Sequence, residues 1–153
     1  MKKRVDLPEK KYEGYIFDLD GTLVDSMPLH YRAWREALAR AGAPDHVFRA
    51  DEFYSCGGKS ANDVVRFLNE RYGMHMDAAS TAADKRRIYL EMLEKEGMQP
   101  IREVVEFVHS LGDAPKAIAT GSAMPGASRT LAAAGLSGLF DVILTPDEVE
   151  HGK

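Results

Sequence analysis

Asp18 and Asp20 stand two residues apart, directly behind the apolar run Gly14-Tyr15-Ile16-Phe17. That run is compact and rich in β-formers, so it reads as a buried strand ending at Asp18-Leu19-Asp20-Gly21-Thr22. In extended geometry residues i and i+2 point to the same side, which lets both carboxylates face one pocket. Two close carboxylates repel unless a cation lies between them or one keeps its proton. Either arrangement is useful chemistry: hard oxygens suit Mg²⁺, and a carboxylate is a nucleophile. Gly21 permits the backbone turn that must follow. An Asp-Gly turn closing a strand is the plain structural alternative. The full string Asp18-Leu19-Asp20-Gly21-Thr22-Leu23-Val24-Asp25-Ser26 behind a strand is far more specific than a turn.

The elements that must position this pair follow from periodicity. Ser26, Met27 and Pro28 make a helix start with a Ser cap and a first-turn Pro. Leu29, Ala33, Trp34, Ala37, Leu38 and Ala41 then recur at helical spacing until Gly42 and Pro44. Helical patterning continues over Ala50–Tyr54, Ala61–Tyr72 and Thr81–Glu96, broken by Gly57-Gly58 and Gly73. After Pro100 the pattern changes: a helix face at Ile101, Val104, Val105, Val108 and Leu111, a strand at Ala117–Ala119, a helix from Pro125 to Ala134, and a strand from Phe140 to Leu144. Strands alternating with helices predict parallel βαβ units and an α/β, doubly wound (Rossmann-like) sheet. The core is expected over residues 14–25 and 98–153, with an all-helical cap inserted at 26–97 and a lead-in at 1–13. In such a sheet ligands collect at the carboxyl ends of strands, where Asp18 and Asp20 fall.

Composition narrows the classes. The chain has 153 residues and a net charge of −4, with 44% apolar and 29% charged residues, which fits one domain with an insertion. Its Lys and Arg residues are scattered among acids, so nucleic acid is not an expected partner. No apolar run approaches membrane-spanning length, and the basic N-terminus lacks the apolar region of a secretory signal. Cys56 is the lone cysteine, which fits a reducing compartment, and a soluble cytoplasmic protein is expected.

The string Asp18–Ser26 resembles the first motif of the haloacid dehalogenase superfamily, D-x-D-G-T-[LV]-x-D-[ST]. Ile118-Ala119-Thr120-Gly121-Ser122 is similar to its second motif, and Lys153 in His151-Gly152-Lys153 to its third. Met27-Pro28-Leu29-His30, Trp34 and Phe140-Asp141-Val142-Ile143 resemble the small sugar-phosphate phosphatase and β-phosphoglucomutase group. The resemblance implies a phosphatase of small phosphorylated metabolites working through an aspartyl-phosphate. Asp18 would be the nucleophile and Asp20 the acid and base. Mg²⁺ would rest on the Asp18 carboxylate and the Asp20 carbonyl. Gly21, Thr120, Gly121 and Ser122 would hold phosphoryl oxygens, and Lys153 would neutralise charge.

The family's fourth motif, an acidic pair after a fourth strand, has no counterpart in the chain. Its absence implies missing C-terminal strands of the core and an open edge at Tyr15-Ile16-Phe17, with self-association through that edge as one consequence. A non-catalytic incomplete domain, or one completed by a partner, is therefore the rival to the phosphatase. A phosphosugar mutase is a further alternative, although no Arg lies between Gly57 and Asp63 to grip a second phosphate.

His30 is expected at the site mouth, with a surface or capping histidine as the alternative. Lys85, beside Arg86 and Arg87, offers a cationic contact to substrate, against a solvated helix face. Gly58-Lys59-Ser60 fails as a P-loop because Phe53 occupies the required Gly position. It reads as a flexible link between cap helices, whereas the family resemblance implies a cap loop that dips towards the substrate. Trp34 and Cys56 read as packing residues, and His46, His75 and His109 carry no role.

Overall fold

The computed structural model describes residues 10–150, so Lys153 and its expected role lie outside the described residues. The first strand, β1, is Tyr15–Phe17. Four helices follow: α1 Met27–Arg40, α2 Ala50–Ser55, α3 Ala61–Tyr72 and α4 Ala78–Glu96. The chain then runs through α5 Arg102–Ser110, β2 Lys116–Ala119, α6 Met124–Ala133, β3 Val142–Leu144 and a 3-10 turn at Pro146–Glu148.

Local chemistry sets several of these boundaries. The Ser60 hydroxyl accepts the Asp63 N–H at 3.2 Å to open α3, and Gly73 closes it at φ +64°. Helix α4 starts three residues earlier than periodicity predicts, because the Asp77 carboxylate accepts the Ser80 N–H at 2.7 Å. Helix α1 departs from expectation. Pro28 sits in its first turn, yet the Ser26 side chain makes no capping bond and goes to the acidic loop instead.

The sheet is parallel with order β1-β2-β3, so β1 is an edge strand. Register decides which residues share a face. Phe17, Ile118 and Ile143 form one row and join the core with Val104 and Val108 of α5 and Leu131 of α6. Phe17 also lies edge-on to Phe107 and Phe140, with ring centroids 6.3 and 5.9 Å away. The opposite row is Ile16, Ala117 and Val142. Ile16 is 75% exposed and Val142 49% exposed, which corrects the expectation of a buried β1: no described element covers that face.

The stretch from α1 to α4 leaves and rejoins the sheet through two segments bonded to each other. Asp25 N–H donates to the Gln99 carbonyl at 3.0 Å, and Ile101 N–H to the Leu23 carbonyl at 2.8 Å. Trp34, Leu38, Phe48, Phe53, Val65 and Leu68 form a separate cluster among the helices. The other faces of α1 and α4, through Leu29, Ala33, Ile88, Tyr89 and Leu93, join the core beneath the sheet's carboxyl ends. Both helices thus reach over the Asp18–Asp20 loop.

The two sheet faces should answer differently to substitution. Phe17→Ala is expected to lower the stability measured by urea unfolding by about 3–5 kcal/mol. Ile16→Thr should stay within about 0.5 kcal/mol of the parent. Similar losses for the two would contradict this packing.

Candidate active site

The loop behind β1 is wound around a buried residue. Leu19 is fully buried, and its carbonyl accepts the N–H groups of Thr22, Leu23 and Val24 at 3.3, 3.0 and 3.3 Å. Gly21 takes φ +77°, and a Cβ there would lie 2.9 Å from Met27 Cγ, so glycine is required for both backbone and space. With Leu19 pointing inward, Asp18 and Asp20 flank it at the carboxyl end of β1, each partly buried.

Asp20 is the hub. Its Oδ1 accepts from Ser26 Oγ at 2.6 Å and lies 2.9 Å from His30 Nε2. Its Oδ2 accepts from Ser122 Oγ at 2.7 Å and, more weakly, from Thr120 Oγ1 at 3.4 Å. Thr120 Oγ1 in turn accepts the Ser122 N–H at 3.0 Å, and Thr120 N–H donates to the Leu144 carbonyl at 3.0 Å. The loop after β2 is thereby pinned to β3 and to Asp20 together. Burial alone would raise the Asp20 carboxyl pKa. The bond and charge of His30 and the hydroxyls of Ser26 and Ser122 outweigh it and hold the group well below the ordinary carboxylate range.

His30 and Lys85 meet Asp20 and each other. Neither is on the surface, and Lys85 is not on a solvated helix face: the two residues are 8% exposed apiece. Lys85 Nζ lies 2.7 Å from His30 Nδ1, and sits 5.5 and 5.3 Å from the ring centres of Trp34 and Tyr89. An ammonium has no lone pair, so Nδ1 must accept and Nε2 must carry the proton donated to Asp20. Burial first, and the Lys85 charge second, push the His30 pKa down against the pull of Asp20. At neutral pH the imidazole is therefore neutral and gives Asp20 a hydrogen bond; its charge joins that bond only in acid, where Asp20 itself titrates. Burial also lowers the Lys85 pKa to about 8, with Asp20 opposing and Arg86 adding to the fall.

The loop between α2 and α3 makes the other contact. A Cβ on Gly121 would lie 2.8 Å from the Gly58 carbonyl oxygen, so the link between α2 and α3 rests on the loop after β2 only because Gly121 has no side chain. Gly58, Lys59, Ser60, Thr120, Gly121 and Thr145 help line a cleft of about 450 Å³ beside this contact. Asp20, His30, Lys85, Thr120 and Ser122 are thus one cluster, with Gly121 at its rim and Asp18 beside Asp20 on the loop. Sequence reasoning missed Ser26, taken for a helix cap although it closes the motif string. It also missed Tyr89, one helical turn beyond Lys85 on the same face of α4. Cys56 is buried, and its thiol pKa is raised chiefly by that burial, as befits a packing residue.

The comparisons with known proteins agree on one family. Residues 15–153 match the family model described as haloacid dehalogenase-like hydrolase. The chain is 31% identical over 145 residues to fructose-1-phosphate phosphatase YqaB of Escherichia coli, covering 94% of this chain and 74% of that protein. It is 32% identical over 145 residues to hexitol phosphatase A of the same organism, covering 92% of this chain and 62% of that one. The crystal structure of a hydrolase from Pseudomonas syringae superposes with a TM-score of 0.79 at 28% identity, over 92% of this chain and 64% of that one. The chain therefore spans roughly two thirds of the length of these relatives. Among the described residues no helix is long and apolar enough to cross a membrane.

The Lys85 environment has a thermodynamic signature. Between about pH 8, where Lys85 titrates when folded, and its ordinary value of 10.5, the unfolded chain binds more protons than the folded one. Stability therefore gains a rising contribution with pH across that window, and the burden of burying the charge is greatest below it. Thermal melts of the parent and of Lys85→Met should converge or cross in the parent's favour between pH 8 and 10.5. A constant difference would contradict a buried ammonium.

Proposed function

Because this chain belongs to the haloacid dehalogenase-like hydrolases, we propose that it is a phosphatase of small phosphorylated carbohydrates working through Asp18. The observation that carries the reading is that Asp18 and Asp20 follow β1 at its carboxyl end, where Asp20 is bonded to Thr120 and Ser122 of the loop after β2. In the first step an Asp18 oxygen attacks phosphorus and the bond to the sugar oxygen breaks, leaving an aspartyl-phosphate. Asp20 delivers the proton that the departing alkoxide takes up. In the second step water attacks the same phosphorus, the bond to Asp18 breaks, and Asp20 takes the proton from that water. Such assistance contributes on the order of 10²–10⁴-fold.

The hydrogen bonds around Asp20 favour the second step, because they hold it in the ionised form that accepts a proton. For the first step it must carry one. A phosphate dianion close by raises a carboxyl pKa through like-charge repulsion, so substrate arrival itself supplies the push. The hydroxyls of Thr120 and Ser122 stand where they can turn from Asp20 to the phosphoryl oxygens.

The donor set suits Mg²⁺. The Asp18 carboxylate and the Asp20 carbonyl are hard oxygens, and the bridge between Asp20 and Val24 is made through the Leu19 carbonyl and the Gly21 N–H, leaving the Asp20 carbonyl outside it. Among the described residues no cluster of three or more acidic, His or Cys side chains could hold a metal. That is compatible with an ion held by one or two carboxylates, water and substrate phosphate. When bound, it supplies charge neutralisation at the phosphoryl group. The substrate class follows the relatives, named for fructose-1-phosphate and for hexitol phosphates.

Phosphate release from hexose and hexitol monophosphates, with Mg²⁺ and with EDTA, tests the reading. The expected result is Mg²⁺-dependent turnover that Asp18→Asn reduces by at least about 10²-fold. Equal release by Asp18→Asn, or none from folded parent protein, would overturn it in favour of a non-catalytic domain. Release that depends on an added sugar bisphosphate would point to a mutase.

A further inference from the structure

The His30 imidazole serves Asp20 only while its plane is held. The Cβ–Cγ bond together with Nε2 on Asp20 and Nδ1 on Lys85 defines that plane, and Tyr89 backs it, its ring parallel to the imidazole at 6° with centroids 4.0 Å apart. Tyr89 is itself held. Its hydroxyl is 2.8 Å from Thr130 Oγ1, Thr130 is 1% exposed, and burial, the largest cause, raises the phenol pKa. The stack, the phenol–hydroxyl bond and the burial coincide at one side chain that touches no reacting group.

We infer that Tyr89, tethered by Thr130, is a positioning residue that fixes the His30 ring against Asp20, resting on the reading of Asp20 as the acid and base. The linkage is mechanical. Thr130 belongs to α6, the helix that follows the Thr120–Ser122 loop, Tyr89 to α4 and His30 to α1. One line of contacts therefore runs from the core helix through the cap helices and back to the carboxylate at the end of β1. Lys85 sets which nitrogen carries the proton, and Tyr89 supports the ring that aims it. The Lys85 ammonium also lies over the Tyr89 ring, so a change at Tyr89 loosens both partners of His30.

The nitrogen-15 spectrum of the His30 ring at pH 7 tests this without recourse to turnover, with His30→Gln identifying the signals. In the parent, one nitrogen should read as proton-bearing and the other as a bare acceptor, the pattern of a single fixed tautomer. Tyr89→Leu, shown folded by its thermal melt, should draw the two signals together as the ring loses its orientation. Tyr89→Phe keeps the stacking ring but loses the bond to Thr130, so it should shift the signals in the same direction as Tyr89→Leu by a smaller amount. Thr130→Val, which removes only the tether, should shift the signals in the same direction as Tyr89→Leu by a smaller amount, and stands in for it should the leucine variant not fold. An unchanged His30 pattern in folded Tyr89→Leu and Thr130→Val, or identical behaviour of the Leu and Phe variants, would overturn the inference. Kinetics form the second arm. Tyr89→Leu should lower kcat on the order of 10- to 100-fold with little change in KM, as expected when geometry rather than substrate binding is lost. Shifted signals without any turnover in the parent would count against the phosphatase reading while leaving the positioning role in place.

Discussion

A carboxylate taken out of water must find its hydrogen bonds inside the protein, and Asp20 finds them from separate stretches of chain. Ser26 comes from the approach to α1 and His30 from its first turn. Thr120 and Ser122 come from the loop after β2. A hydrogen bond to a charged group contributes about 1.5–3 kcal/mol, and leaving a buried charge unsatisfied costs more. The demand of one side chain therefore constrains how β1 pairs with β2, where α1 begins, and how closely the helical stretch approaches the sheet. Helix α1 forgoes its serine cap to meet it.

The same demand reaches a second layer. A neutral imidazole with its proton on Nε2 is the species Asp20 requires, and a buried ammonium on Nδ1 is the partner that leaves no choice of tautomer. Burying that ammonium is unfavourable, and the rings of Trp34 and Tyr89 offset part of the cost. Trp34 belongs to the cluster among the helices, whereas Tyr89 belongs to the core under the sheet. The electrostatics of the site and the packing of the two clusters are thus properties of the same few side chains. At the rim, Gly121 leaves room for the Gly58 carbonyl where any side chain would intervene.

Much of this was legible beforehand, for physical reasons that differ from element to element. The parallel sheet followed from apolar runs alternating with helical periodicity, and the acidic loop from residue types that tolerate its geometry. Strand boundaries moved by up to two residues because short strands end where partners end. The exposure of Ile16 was legible only as an open edge, because a strand's own sequence cannot say whether its second face will be covered. His30 and Lys85 were legible as residues and not as a pair, since their bond spans 55 positions and depends on how α1 and α4 pack. Ser26 was misread because a serine before a helix satisfies two roles equally well on paper, and only the position of Asp20 separates them.

The claim on which the account turns is that Asp20 is held ionised by donors from both α1 and the loop after β2. Carbon-13 detection of the Asp20 side-chain carboxyl through an acid titration, in the parent and in His30→Ala, measures it directly. The parent midpoint is expected well below the ordinary aspartate value of 3.8, with a clear rise when the imidazole is removed. A parent midpoint at or above that ordinary value, or one that His30→Ala leaves in place, would contradict it.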